Sequence, residues 1–368
     1  KWRVLDADMA NDGTTSGMFL LSEYLLASDV QFNSNVSKGN AYQGSDAQTW
    51  CSSFVGNTSN FSTAEQAVMF GVAKTDSGES GLYSIPWGES RLTANDKLFF
   101  LSVRELADYV GNYCDAPGLA ATNTAQSAGV WWLRSPDSGI GYYTGTVYDD
   151  GEVVNSLVNH DWAARPAFNL NSSSVLFTSA AVGGKPDGGL TPISKYTGNE
   201  WKLTLKDSNR NFAVTETTVS GDPGDTVTLH YTGATAGINE YISVILADNS
   251  GAQYYGRVAQ PTAENGTVEI KIPSGLAPGS YTLKVFSEQC NDDKKTDYAS
   301  DFVDIDLTVG YQEQFTLTPG GVYYFDLSGV SIPGTADDAL PDKTMHYVPF
   351  TYAGTVDAYK LMSEMVTT

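Results

Sequence analysis

"KLFFLSVRELADYVGN", residues 97–112, poses the fold question most sharply. Its first half, Lys97 to Leu101, is apolar and reads as a strand. Ser102 then supplies an N-cap, and Glu105 at the third helical position completes a capping box, so a helix follows until Gly111 stops it. A strand feeding directly into a helix points to a mixed fold.

The surroundings extend that reading. "VLDADMANDGTTSGMFLLSE" (4–23) reads as two short strands about an Asn-Asp-Gly turn. "SDAQTWCSSFV" (45–55) and "STAEQAVMFGVA" (62–73) read as short helices, the second with Ser62 and Glu65 placed for another capping box. "YYTGTVYDDGEVVNSLV" (142–158) is a hairpin turning on Asp149-Asp150-Gly151, and "ARPAFNLN" (164–171) a final strand. Strands and helices alternate irregularly rather than as βαβ units, so residues 1–175 are expected to form an α+β domain.

Residues 171–200 are rich in Ser, Gly, Pro and Thr and mark a linker or long surface excursion; with the strand "WKLTLKD" they make 176–210 a linker and connecting strand. From 211 the pattern is purely β. "DTVTLHYTG", "YISVILAD", "YYGRVAQ", "TVEIKIP", "GSYTLKVFSE" and "DFVDIDLTV" alternate with period two between turn residues, which predicts an Ig-like β-sandwich over 211–310. It lacks the Cys…Trp…Cys pattern of antibody domains. Residues 311–368 hold a hairpin-like stretch and a helix-prone end, and read as the start of a further, truncated domain.

The chain has 368 residues, enough for two or three domains at roughly 150 each. A hydrophobic share of 41% and an aromatic share of 12% suffice for packed cores. Acidic residues number 43 against 21 basic, a net charge of −22. Such a chain repels phosphate backbones and anionic membranes, so neither nucleic acid nor membrane insertion is expected. No apolar run approaches the ~20 residues of a membrane helix. A start at Lys1, little Lys and abundant Ser, Thr, Asn, Gly and Tyr suit a mature or trimmed exported bacterial chain. Three cysteines, Cys51, Cys114 and Cys290, make no disulfide framework, and their spacing fits no zinc pattern; a Cys51–Cys114 pair stays open.

Two clusters are candidates for function. In "GVWWLRSPDSGIGYY" (129–143), Trp131 and Trp132 point to opposite faces of a strand, and Arg134 shares the parity of Trp132, which favours a cation–π contact. One reading is a structural signature of Trp131, Trp132, Arg134 and Pro136. The other is that the Tyr- and Gly-rich residues beyond, Tyr142, Tyr143 and Tyr148, display a ligand surface. In "VNHDWAARP" (158–166), Asn159, His160 and Trp162 are polar and aromatic groups suited to sugar or protein contact; Arg165 and Pro166 belong to the structural signature, with Arg134 and Arg165 as braces for the loops. A catalytic site is not expected, since His160 and Asp161 have no matching nucleophile and no GxSxG occurs. "DADMANDG" lacks the Gly and terminal Glu of an EF-hand, and "LPDKT" departs from a sortase signal at Lys343. Three scattered His residues, at 160, 230 and 346, make no metal centre, so neither metal nor cofactor is expected.

"WWLRSP", followed some thirty residues later by "ARPAFNL", resembles an uncharacterised domain family of exported Gram-positive gut bacterial proteins. That family is similar to the C-type-lectin-like fold shared with formylglycine-generating enzymes. The resemblance covers about residues 1–175, and "YISVILAD", "YYGRV", "GSYTLKVFSEQ" and "KTDYAS" look like the Ig-like module that often follows. It implies an irregular ligand-binding loop region, here 137–162. Lectin calcium motifs are missing, which leaves calcium dependence open, and Cys51 and Cys114 sit in no oxidase motif, so oxidase activity does not carry over. The expectation is a secreted or wall-attached multidomain protein that binds a glycan or an extracellular protein without catalysis. A structural stalk or assembly subunit is the alternative, and an enzyme related to the oxidases a weaker one.

Overall fold

A computed structural model describes residues 1–78, 82–111 and 120–310, together with the backbone of two strands, Gln314–Leu317 and Gly354–Asp357, which pair antiparallel. The further domain expected over 311–368 otherwise lies outside the described residues, as does Cys114. The chain forms two compact units, each discontinuous in sequence. The first comprises Lys1–Val182, Asn199–Asp207 and Asn291–Ala299; the second comprises Gly183–Gly198, Ser208–Cys290 and Ser300–Thr368.

The first unit corrects the α+β, C-type-lectin-like expectation. Among the described residues, strands account for 43% and helices for 11%, and the sheets curl as half-barrels. The helix starts are where the capping residues put them. Helix α1 (Asp46–Gly56) begins at Ser45, and helices α2 (Thr63–Val68) and α3 (Val103–Tyr109) carry complete capping boxes, Ser62 with Glu65 and Ser102 with Glu105. Helix α3 ends just before Gly111, as expected, but α2 runs for only 6 residues instead of to residue 73 and passes at once into the strand Met69–Phe70. A capping box fixes where a helix begins and says nothing of its length. Length depends on an apolar face long enough to bury, and here the apolar residues go to strands.

Two five-stranded sheets build this unit. In one, Ala167–Leu170 lies at the centre and pairs antiparallel with Met18–Ser22, Met69–Phe70 and Leu98–Phe99, while Trp2–Asp6 extends the edge. The other runs Val153–Leu157, Tyr143–Val147, Trp131–Pro136, Trp162–Ala164, Ala27–Val30. Trp131–Pro136 is central there, antiparallel to Tyr143–Val147 and parallel to Trp162–Ala164. Every residue of that strand is buried. Both faces are covered, so the adjacent Trp131 and Trp132, which point opposite ways, are both fully enclosed. They pack into one core with Phe19, Phe32, Phe99 and Leu101.

Residues 171–200 are more ordered than a linker. Val175–Ala180 pairs antiparallel with Trp201–Lys206, which runs parallel to Asp297–Ala299. In the second unit, Gly188–Pro192 joins Gly251–Ala259 at a sheet edge. All six strands anticipated from residue 211 onward are present there. Thr218–Gly221, Val303–Val309, Gly279–Gln289, Glu240–Asp248 and Gly251–Ala259 form one sheet with that edge strand; Ala213–Val214, Thr226–Thr232 and Gly266–Lys271 form a second. Leu229 and Ile270 from the smaller sheet share a core with Val244, Leu283 and Ile305 from the larger. This all-β unit is compatible with an Ig-like sandwich.

Candidate functional site

The surface singled out by sequence divides on folding. Tyr142 stands 47% exposed at the end of the 137–142 loop, beside Ile140 at 37%. Tyr143 is half-buried and its ring lies 5.4 Å from that of Tyr142. The amide of Val158 donates to the Tyr142 carbonyl at 3.1 Å, which brings the 158–162 segment alongside. Asn159 and His160 are exposed there. The His160 ring stands edge-on to the half-buried Trp162 indole, 5.3 Å between centroids. Tyr148 is apart: it sits at the far end of the hairpin, where its amide donates to the Glu152 carbonyl. The cluster is therefore Tyr142, Tyr143, Asn159, His160 and Trp162, with Ile140 added and Tyr148 left out.

Residues outside the two motifs, together with Asp137 inside the first, hold this rim in place. The Asn40 side-chain nitrogen lies 2.9, 3.2 and 2.7 Å from the carbonyl oxygens of Asp137, Ile140 and Tyr143. The buried Asp137 carboxylate accepts from the amides of Gly139 at 2.7 Å and Ile140 at 3.0 Å, and from the Asn155 side chain. Gly39 sits at φ 76°, a left-handed conformation that favours glycine. On the other flank, Gln31 donates its side-chain amide to the Asn159 carbonyl at 3.0 Å. An aromatic surface fixed in this way loses little freedom on binding.

The same unit also holds a buried charge network that the motifs did not disclose. Arg134 is fully enclosed and donates to Glu105 with both terminal nitrogens, to Asp76, and to the Phe100 carbonyl at 2.7 Å. Lys74 donates to Glu105 at 3.0 Å and to the Asn11 carbonyl at 2.6 Å, and pairs with Asp76 at 3.0 Å. Asn11 donates to Glu105 at 2.7 Å and exchanges hydrogen bonds with Asn169. Two cations thus meet two carboxylates. Burial pushes the Glu105 carboxyl upward, but Arg134 and Lys74 outweigh it and hold the group well below the usual range. Arg134 stacks over Phe99, 5.5 Å from its centroid, rather than over Trp132, because the carboxylates fix its position. The Trp132 indole instead donates to the Val30 carbonyl at 2.6 Å.

Arg165 takes the partner that the sequence did not assign. Its guanidinium lies 4.9 Å over the Trp131 ring and donates to the Ser22 carbonyl at 3.0 Å. Burial lowers its pKa to about 10. Pro136 and Pro166 are both buried. The signature residues therefore hold the core, and the exposed ring atoms lie on the loops after them. Of the residues around Arg134, Glu105 is marked in the sequence as a capping residue, while Asn11 reads only as part of a turn. Asp76, Lys74, Asn11 and Asn40 come from separate segments with no shared spacing.

Cys51 is fully buried, and loss of solvation pushes its thiol up to about 12. Among the described residues no group of three or more His, Cys, Asp or Glu is placed to hold a metal ion, and no helix is long and apolar enough to cross a membrane.

Comparison with known proteins adds little about function. No curated protein matches the chain. Among solved structures, the sulfur carrier protein SoxY from Chlorobium limicola f thiosulfatophilum is similar at 12% identity, over 29% of this chain and 84% of that one, with a TM-score of 0.17. Residues 15–172, which hold both tryptophan motifs and the aromatic rim, match a family described as a domain of unknown function (DUF6273).

Proposed function

We propose that this chain is part of an exported bacterial surface protein whose first unit binds a glycan or an extracellular protein without catalysis. The observation that carries the reading is the exposed Tyr142 and Ile140 on a loop held by Asn40 and Asp137, with His160 and Asn159 alongside. A rigid amphipathic ring on a braced loop offers contact area at low entropy cost, which suits a binding surface. The strongly acidic remainder of the chain keeps anionic polymers away and leaves neutral sugars and basic or apolar protein surfaces as ligands. The buried Cys51 thiol has neither the access nor the ionisation that thiol chemistry needs.

The test is a binding screen of the whole chain against arrayed host and bacterial-wall glycans and extracellular proteins, with and without calcium. The whole chain is needed because the first unit is completed only by residues 291–299. A variant carrying Tyr142→Ala and His160→Ala runs beside it. Binding by the wild type that the variant loses supports the reading. Concentration-dependent self-association with no ligand bound would move the assignment to an assembly subunit.

A further inference from the structure

The second unit encloses an amine and a carboxylate in direct contact. Lys185, in the 183–198 segment, donates from Nζ to Oε1 of Glu288, near the end of the strand Gly279–Gln289. Their side chains are 4% and 0% exposed. The second carboxylate oxygen, Oε2, accepts from Ser243 Oγ at 2.6 Å and from the Tyr255 hydroxyl at 2.7 Å. Ser243 and Tyr255 belong to the paired strands Glu240–Asp248 and Gly251–Ala259, so both donors stand on rigid neighbours. The segment bearing Lys185 is held by Arg257, which donates to the Lys185 carbonyl at 2.8 Å and pairs with Asp187. An amine thus meets one oxygen of the carboxyl group while two hydroxyls donate to the other, which is the layout of an acyl-transfer site.

We infer that Lys185 and Glu288 condense into an intramolecular isopeptide bond. A proton passes from the Lys185 ammonium to Oε1, which leaves a neutral amine beside a carboxylic acid. Nζ attacks Cδ, and the C=O electron pair moves onto Oε2, where the Ser243 and Tyr255 hydroxyls stabilise it. The carbonyl re-forms at Oε2, the bond from Cδ to Oε1 breaks, and Oε1 leaves as water with a second proton from nitrogen. Ammonium and carboxylate become amide and water, with no oxidant or co-reactant required. Two charges that are costly to bury are replaced by one neutral group, and fixed proximity stands in for activation of the acid. Burial, followed by the Glu288 charge, raises the Tyr255 phenol well above its ordinary value, so it remains a proton donor.

Intact-mass spectrometry of the full chain tests this directly. The expected result is a mass short of the sequence by one water, and digestion should yield a branched peptide joining Lys185 to Glu288. Lys185→Arg keeps the cation but removes the nucleophile, and its mass should equal its sequence. Tyr255→Phe removes one donor to the oxyanion and should slow the conversion by about 10²-fold. A wild-type chain that stays at its full sequence mass after prolonged incubation in native buffer overturns the proposal. So does a lost water that maps to another pair of residues.

Discussion

Glu105 closes its own helix and anchors Arg134 with the same carboxylate. Its Oε2 accepts from the Ser102 amide at 3.0 Å and from Arg134, while Oε1 takes a second bond from Arg134 at 2.8 Å. A helix start and the central strand of a sheet are therefore tied through one side chain. Glu105→Gln keeps the shape and removes the charge, which leaves Arg134 only Asp76 as an anionic partner. The variant is expected to lose about 3–5 kcal/mol of unfolding free energy, measured by urea denaturation. A loss within about 0.5 kcal/mol, the range of an ordinary surface change, would show the network to be dispensable.

The same group sets an acid limit. Its folded pKa lies below the ordinary 4.5, near 2, so its contribution is complete above 4.5 and is lost as pH falls toward 2. Tryptophan fluorescence should show the urea midpoint of the wild type falling through that window. Glu105→Gln, already weakened, should fall less steeply there.

Tyr142→Ala and His160→Ala remove exposed groups and should each change stability by no more than about 0.5 kcal/mol. If the rim binds as proposed, affinity should fall by about 1–3 kcal/mol for Tyr142→Ala, read by calorimetry with the ligand the screen identifies. Tyr148→Ala, at the far end of the hairpin, should leave affinity unchanged.

Asn40→Ala tests whether bracing matters. It removes one amide group that reaches three carbonyls and should cost about 1–3 kcal/mol. Hydrogen exchange should quicken at Gly139, Ile140 and Tyr143 before it quickens in the strand Trp131–Pro136. Uniform quickening would mean that Asn40 serves the whole unit rather than the loop.

Cys51 should resist alkylation in the folded chain at pH 8, since its thiol titrates near 12 and has no exposed surface. Labelling followed by peptide mapping should find it modified only after denaturation. Modification at native rates would reopen thiol chemistry in this unit.

The residues visible to a sequence reader were those whose role is local. Ser62, Glu65, Ser102 and Glu105 announced helix starts, and Asp149-Asp150-Gly151 announced a turn, because each acts within four residues of itself. The alternation after residue 211 was legible for the same reason: one strand face is buried and the other wet. Strand 131–136 gave no such alternation, since both of its faces are covered. Helix length, the Arg134 partners and the Asn40 brace all depend on contacts between distant segments. They leave no periodic trace, and the lectin-like expectation failed because strands dominate the chain, the segment after Val68 among them, where a helix was expected to run on to residue 73.

The interleaving of the first unit bears on how it is made. Trp201–Lys206 places Leu205 in the core, and its parallel neighbour Asp297–Ala299 brings Tyr298 against the same core and to within 2.6 Å of Ser62. A ribosome delivers Ser62 long before Tyr298. Until the later strand emerges, the nascent chain carries an unpaired strand edge and an open hydrophobic seam. Closing a loop of that span is slow compared with local helix and hairpin formation. The final docking of 297–299 is then the step at which translation rate and chaperones can act on the fold. Mutations at Tyr298 or Ser62 should show themselves in yield before they show in the stability of the finished protein.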